Sequence, residues 1–160
     1  MQERMSLIVF SGTVDKLMAA SILATGAAAM GLEVEVFLTT WGLEAFRKDN
    51  YKTNTKVSKD FEEYAPVMME QMMAKRVPSW MENFKNAMEV GDVNIYACSM
   101  TMELFGMKLE DLEPIVTDVT LPVSKSGSAA HFERRSLPIV SSHRSVVRNQ
   151  AMGRRPMIAR

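Results

Sequence analysis

The sequence predicts an α/β fold built around a mostly parallel β-sheet. Residues 6–11 form a continuous apolar run with the length and composition of a strand buried on both faces, and residues 33–38, EVEVFL, form the second strand. Between them lies a helical stretch, residues 14–30, whose alanine-rich side suits close contact with a sheet. A strand, a helix and a strand in this order form a βαβ unit, so the two strands should be parallel and joined by a right-handed crossover.

The next segment is predicted to leave the sheet. Residues 43–47 form a short helical piece, and residues 48–64 are polar without a sustained period, which indicates a long loop. Pro66 then opens a helix that carries a stripe of methionines, so residues 48–77 form an excursion. We interpret the stripe as core or subunit-interface packing; a soft-metal or hydrophobic-ligand surface is the alternative. The four methionines are Met68, Met69, Met72 and Met73.

Regular elements resume at Ser79, which together with Glu82 has the spacing of a capping box at the start of a helix. Gly91 should end that helix. Residues 93–97 are predicted as the third strand, residues 108–113 as a short helix, and residues 115–119 as the fourth strand.

The single cysteine of the chain, Cys98, follows the third strand directly. Ser99 and Thr101 are both able to cap a helix that begins there, and a thiol beside the N–H groups of a helix start ionises more easily than a free thiol. The other interpretation is that Cys98 is a small buried hydrophobic residue without chemistry. One cysteine excludes an internal disulfide, which fits a reducing cytoplasm.

The carboxyl ends of parallel strands meet at one edge of the sheet, where ligands of such folds bind. We therefore expect Ser11, Gly12, Thr40 and Trp41 to lie on the same crevice as Cys98. The Ser11-Gly12-Thr13 turn, with Lys16 nearby, is also open to interpretation as an anion-binding turn, although it lacks the glycine pattern of nucleotide-binding loops.

No metal site or cofactor is predicted. The sulfur atoms of Cys98, Met100 and Met102 are soft ligands, but a regular helix does not bring them together. The chain has no HExxH motif, no paired cysteines and no Gly-rich phosphate loop.

The charges are distributed unevenly along the chain. Residues 121–160 hold eight Lys or Arg against one acid, so the net formal charge of zero conceals an acidic first part and a basic C-terminal segment. That segment has no clear periodicity, and its best strand candidate is residues 137–140. Without interleaved aromatic residues it does not predict nucleic-acid binding. The N-terminal apolar run is too short for a signal peptide or a membrane span, which favours a cytoplasmic protein.

The opening SLIVFSGTVDKLMAASILATGAAAMGLEVEVFLTTWGL and the stretch YACSMTMELFGMKLEDL resemble the DsrE/DsrF-like family, in particular its DsrE-related, peroxiredoxin-like sulfur-relay branch. The similarity covers residues 5 to about 119. It implies a three-layer α/β/α sandwich of four to five strands over residues 1–120. Residues 121–160, an atypical basic segment, depart from the family pattern, in which a short helix and a final apolar strand follow the fourth strand. The resemblance also implies homo-oligomers of three or more subunits.

The same resemblance implies a sulfur carrier or sulfurtransferase that holds sulfane sulfur as a persulfide on Cys98. Ser99, Met100 and Thr101 would stabilise the thiolate or bind substrate, together with the crevice residues. The partners would be sulfur donor and acceptor proteins or small sulfur compounds. The alternative is a non-enzymatic oligomeric binding module with a buried structural Cys98 and a Met-rich interaction surface.

Overall fold

The computed structural model describes residues 3–120 of the 160-residue chain. The basic C-terminal segment, the strand candidate at residues 137–140 and any fifth strand lie outside the described residues. The predicted fold class is confirmed: the chain is an α/β protein with a four-stranded parallel sheet and helices.

The strands are β1 (Arg4–Val9), β2 (Glu33–Leu38), β3 (Val93–Cys98) and β4 (Asp118–Thr120). They lie side by side in the order β1-β2-β3-β4, and every neighbouring pair is parallel. The helices are α1 (Val14–Ala29), α2 (Thr40–Ala45), α3 (Asn50–Thr53), α4 (Ala65–Ala74), α5 (Trp80–Val90) and α6 (Ser99–Leu104), with 3-10 turns at Lys59–Tyr64 and Leu109–Asp111.

The register of the sheet aligns the carboxyl ends of its first three strands. Leu38 is paired with Val9 on one side and with Ala97 on the other. The residues that follow β1, β2 and β3 therefore emerge next to one another at one edge, as the βαβ pattern predicts.

The main core lies between the sheet and the helix pair α1 and α5, which pack against each other. Small residues on α1 allow this close approach: Ala24, Ala27 and Ala28 are buried. Gly91, directly after α5, lies so near that a β-carbon there would come within 3.0 Å of the Ala28 side chain. Alanine on α1 and glycine after α5 thus set the distance between the two helices.

Several predicted elements differ from the structure. The helix predicted at residues 43–47 is Thr40–Ala45, and the helix predicted at residues 108–113 is a 3-10 turn at Leu109–Asp111. The strand predicted at residues 6–11 is Arg4–Val9, because the pairing with β2 extends back to Arg4, whose guanidinium contacts the Glu33 carboxylate at 2.6 Å. The strand predicted at residues 115–119 is Asp118–Thr120: Ile115 and Val116 are buried outside the ladder. The loop predicted at residues 48–64 contains α3 and a 3-10 turn.

The methionine helix α4 packs only one side against the core. Met68, Met69 and Met72 are partly buried against the core cluster, whereas Met73 remains 75% exposed. This arrangement agrees with the packing interpretation for most of the stripe.

None of the helices between residues 3 and 120 combines the length and the apolar character that a membrane-spanning helix needs.

We predict that Ser79→Ala lowers the free energy of unfolding by about 1 kcal/mol. The capping box is present: the Glu82 N–H donates to Ser79 Oγ at 3.2 Å, and the Ser79 N–H donates to the Glu82 carboxylate at 2.7 Å. Denaturant unfolding measures the loss, and Ser79→Thr, which keeps a capping hydroxyl, is the matched control. Equal loss in both variants would contradict this role of the hydroxyl.

Candidate functional site

The candidate site is centred on Cys98, which ends β3 and is also the N-cap residue of α6. This corrects the prediction that Ser99 or Thr101 caps the helix: both lie inside α6. The reason is that the backbone leaves the strand conformation only after Cys98, so the cysteine is the N-cap, the residue immediately before the first helical residue. The Cys98 residue is buried, with 3% of its surface exposed.

Burial alone would raise the pKa of the Cys98 thiol, because it disfavours the charged form. Hydrogen bonds to the sulfur outweigh this effect. The donors are the hydroxyl and N–H of Thr101, the hydroxyl of Thr39 and the N–H of Met100. The net result is a pKa below the ordinary value of a cysteine, so the site favours a thiolate held by uncharged donors.

Thr39 is a contributor that the sequence places at the same edge of the sheet but does not single out as a site residue. Its hydroxyl oxygen lies 3.1 Å from that of Thr101, and hydrogen bonding from both hydroxyls contributes to the lowered pKa of Cys98. Its position directly after β2, beside the end of β3, is the signal that could have identified it.

The next residue, Thr40, connects this group to β1. Its N–H donates to the Thr101 hydroxyl oxygen at 3.1 Å, and its own hydroxyl donates to the carbonyl of Phe10 at 2.8 Å. Thr40 has φ +47°, a left-handed conformation that is uncommon for a β-branched residue.

Ser11, Gly12 and Trp41 lie on the other side of the Thr39–Thr40 loop, where they line a cavity of about 470 Å³. Gly12 is needed for a close approach here, since a β-carbon would come within 2.5 Å of the Trp41 carbonyl oxygen. The Trp41 ring stacks on Phe105, just after α6, with ring centroids 5.4 Å apart. Cys98 is not among the lining residues. The full lining is Ser11, Gly12, Thr13, Trp41, Glu44, Ala45, Asn50, Thr53, Asn54, Thr55 and Lys56.

The residues predicted to line one crevice therefore form two groups, which Thr39 and Thr40 connect. Thr101, Thr40 and the Met100 N–H belong with Cys98, whereas Ser11, Gly12 and Trp41 belong with the cavity. Ser99 contributes to neither: its hydroxyl is buried and has no hydrogen-bond partner within residues 3–120.

The turn before α1 offers little to an anion. The Val14 N–H donates to the carbonyl of Lys56 at 2.7 Å. The Asp15 carboxylate accepts hydrogen bonds from Ser58, which lower its pKa against the opposing effect of burial. The Lys16 ammonium group also donates to the Ser58 hydroxyl oxygen at 2.9 Å, so the charged side chains at the start of α1 have partners within the chain.

The three sulfur side chains of the β3–α6 junction diverge, as the helical spacing predicts. Cys98 is buried at the strand end, Met102 belongs to the hydrophobic core, and Met100 is 65% exposed. In this arrangement they do not form a common set of soft metal ligands.

The sequence profile of the DsrE/DsrF/DrsH-like family matches residues 1–62 and 53–122, which together are more than half of the chain. The chain belongs to the DsrE/DsrF/DrsH-like family. The predicted resemblance is thereby confirmed at the level of the family, and the matched residues include the whole β3–α6 junction with Cys98.

Two relatives are similar to this chain over most of their own length. The uncharacterized protein YrkE of Bacillus subtilis (strain 168) is 34% identical over 131 residues, covering 69% of this chain and 81% of YrkE. The sulfur carrier protein DsrE2 of Allochromatium vinosum is 29% identical over 157 residues, covering 82% of this chain and 92% of DsrE2.

Among solved structures, the protein of unknown function MTH1491 from Methanobacterium thermoautotrophicum is similar with a TM-score of 0.47 and 19% identity. The match covers 84% of this chain and 91% of MTH1491.

Because the folded-state pKa of Cys98 is lowered, we predict that the stability of the wild type relative to Cys98→Ser depends on pH. As pH rises through the folded-state pKa, the native thiol ionises before the unfolded one, and the wild type gains stability. The gain is complete above the pKa of the unfolded thiol, about 8.5, and is lost as pH falls back through the folded-state value.

Denaturant unfolding of both proteins across this pH range measures the difference in free energy. A difference that stays constant, or that shrinks as pH rises, would contradict a lowered pKa.

Proposed function

We propose that this protein is a sulfur carrier that holds sulfane sulfur as a persulfide on Cys98. The observation that carries the proposal is the place of Cys98 at the end of β3, where the Thr39 and Thr101 hydroxyl oxygens lie 3.1 Å apart and hydrogen bonding from both residues lowers the pKa of the thiol despite burial. Membership of the DsrE/DsrF/DrsH-like family and similarity to a protein described as a sulfur carrier, DsrE2, support it.

The chemistry is a pair of exchanges at sulfur. The Cys98 thiolate attacks the outer sulfur of a donor persulfide; a new S–S bond forms, the donor S–S bond breaks, and the donor leaves as a thiolate that takes up a proton. An acceptor thiolate then attacks the outer sulfur on Cys98, and Cys98 leaves as a thiolate. Both steps conserve oxidation state, and a lowered pKa makes Cys98 a better leaving group.

The hydroxyls of Thr39 and Thr101 suit both states of this cycle. A hydroxyl group donates strongly to an anionic sulfur and more weakly to a neutral one. The N–H groups of Met100 and Thr101 add fixed donors at the same place. We infer that these groups stabilise the thiolate before uptake and after release.

Access to the sulfur is the main constraint on this function. With 3% of the Cys98 residue exposed, a donor reaches the sulfur only when the surrounding edge opens. Three large apolar side chains on α2 and α6 are exposed around this edge, namely Trp41 at 65%, Met100 at 65% and Leu104 at 74%. We propose that they contact a donor or acceptor protein, because exposed apolar patches mark such contacts.

The proposal includes a cytoplasmic location and assembly into homo-oligomers, as implied by the family resemblance. Small sulfur compounds are alternative donors and acceptors. The acceptors that the chain serves determine whether it acts alone as a sulfurtransferase or only relays sulfur between partners.

We predict that the wild type, incubated with a low-molecular-weight persulfide, gains about 32 Da for one added sulfur. Intact-mass spectrometry measures the gain, and a small thiol added in excess should remove it. Cys98→Ser should show no gain. Because the chain has a single cysteine, any thiol-bound sulfur is on Cys98. Absence of an adduct with persulfide, thiosulfate and polysulfide donors alike would contradict the carrier function.

The burial of Cys98 favours a second candidate, a binding module in which the cysteine is structural. Alkylation separates the two functions. For a carrier, iodoacetamide modifies Cys98 in the native protein without denaturant. The reaction is slower than in the unfolded chain, because the edge of the sheet around Cys98 must first open. For a structural cysteine, modification follows only global unfolding, so its rate should rise with denaturant in step with the unfolded fraction.

A further inference from the structure

We propose that Thr40 is a positioning residue for Cys98: its backbone N–H holds the Thr101 hydroxyl so that the hydroxyl proton is directed to the cysteine sulfur. The inference rests on the proposed function only in taking Cys98 to react as a thiolate. It assigns a role to the β2–α2 loop that is separate from binding a donor or acceptor.

The first step is the backbone of Thr40. A φ of +47° is a conformation that non-glycine residues rarely adopt, and β-branched residues least of all, so something must hold it. The Thr40 hydroxyl donates to the carbonyl of Phe10 at 2.8 Å. This bond ties the start of α2 to the chain that leaves β1 and fixes the direction of the Thr40 N–H.

The second step is the inventory of donors and acceptors on Thr101. A hydroxyl has one proton and two lone pairs. The Thr40 N–H can only donate, so its 3.1 Å contact fills one lone pair of the Thr101 oxygen. The Thr39 hydroxyl, also 3.1 Å away, has a single proton, which goes either to the Thr101 oxygen or to the Cys98 sulfur. In the first arrangement the Thr101 proton is left for the Cys98 sulfur, and in both the Thr40 N–H fixes one lone pair of the Thr101 oxygen.

The third step is the strengthening of that donor. A hydroxyl that accepts a hydrogen bond becomes a better donor, because chains of hydrogen bonds polarise one another. The groups that reach the sulfur from Thr39, Met100 and Thr101 are all uncharged. Their orientation therefore decides how well they stabilise a negative charge, and Thr40 orients one of them.

The test is a double-mutant cycle. For each variant, the rate of Cys98 alkylation by iodoacetamide is measured as a function of pH, and the pH midpoints are compared. Thr101→Val removes the hydroxyl and should reduce the thiolate fraction at a pH below the midpoint about tenfold, whereas Thr101→Ser should keep the wild-type midpoint. Thr40→Ala removes the bond to Phe10 and should reduce the same fraction about threefold. Thr40→Ser, which keeps the hydroxyl, should match the wild type.

The decisive comparison is Thr40→Ala in the Thr101→Val background. If Thr40 acts through Thr101, the substitution has no further effect on the midpoint there. An equal shift in both backgrounds, no shift in either, or a shift in Thr40→Ser as large as in Thr40→Ala would overturn the proposal. If Thr40→Ala does not fold, an unchanged midpoint in folded Thr101→Val overturns it instead.

This outcome is separable from that of the proposed function. Midpoints that move as expected in a protein that takes up no sulfur would leave the positioning role intact and remove the carrier function. Sulfur uptake in a protein whose midpoints do not move would leave the carrier function intact and remove the positioning role.

Discussion

The hydrogen bonds that reach the Cys98 sulfur depend on the parallel pairing of β2 with β3. Because Leu38 is in register with Ala97, the next residues of the two segments, Thr39 after β2 and Cys98 at the end of β3, emerge side by side. A slip of one residue would turn each side chain of the shifted strand to the opposite face of the sheet. The site is therefore a property of the sheet register as much as of the residues that form it.

Two opposing effects act on that sulfur, and their balance determines its chemistry. Burial disfavours the anion, while hydroxyl and amide donors favour it. A cationic partner would stabilise a thiolate more strongly, but it would also hold the sulfur in one charge state. For the proposed carrier function, uncharged donors would suit a sulfur that alternates between thiolate, persulfide and leaving group, since each state needs a different degree of stabilisation.

Much of this architecture is predictable from the sequence because its signals are local. The run at residues 33–38 lies between Gly31, with φ +80°, and the polar Thr39, and it forms β2 with the predicted bounds. The capping box at Ser79 and the cysteine at a strand end are equally local.

The features that could not be predicted depend on contacts between distant segments. The position of β4 depends on Thr117, whose hydroxyl bonds to the backbone of Ile95, 22 residues away. The role of Thr39 requires the register of β2 with β3, and that of Thr40 requires a left-handed backbone that no sequence pattern indicates for threonine. The close approach of Gly12 to Trp41, 29 positions apart in the sequence, is likewise a contact that no local pattern indicates.

The central claim is that uncharged donors lower the pKa of the Cys98 thiol within the folded protein. The most direct measurement is a thiolate titration by ultraviolet absorbance, performed on native protein and on the same protein in denaturant, with Cys98→Ser as the blank. The account predicts that the native thiol ionises at a lower pH than the unfolded one. A native midpoint equal to or above that of the unfolded chain would contradict it and leave Cys98 as a buried structural residue.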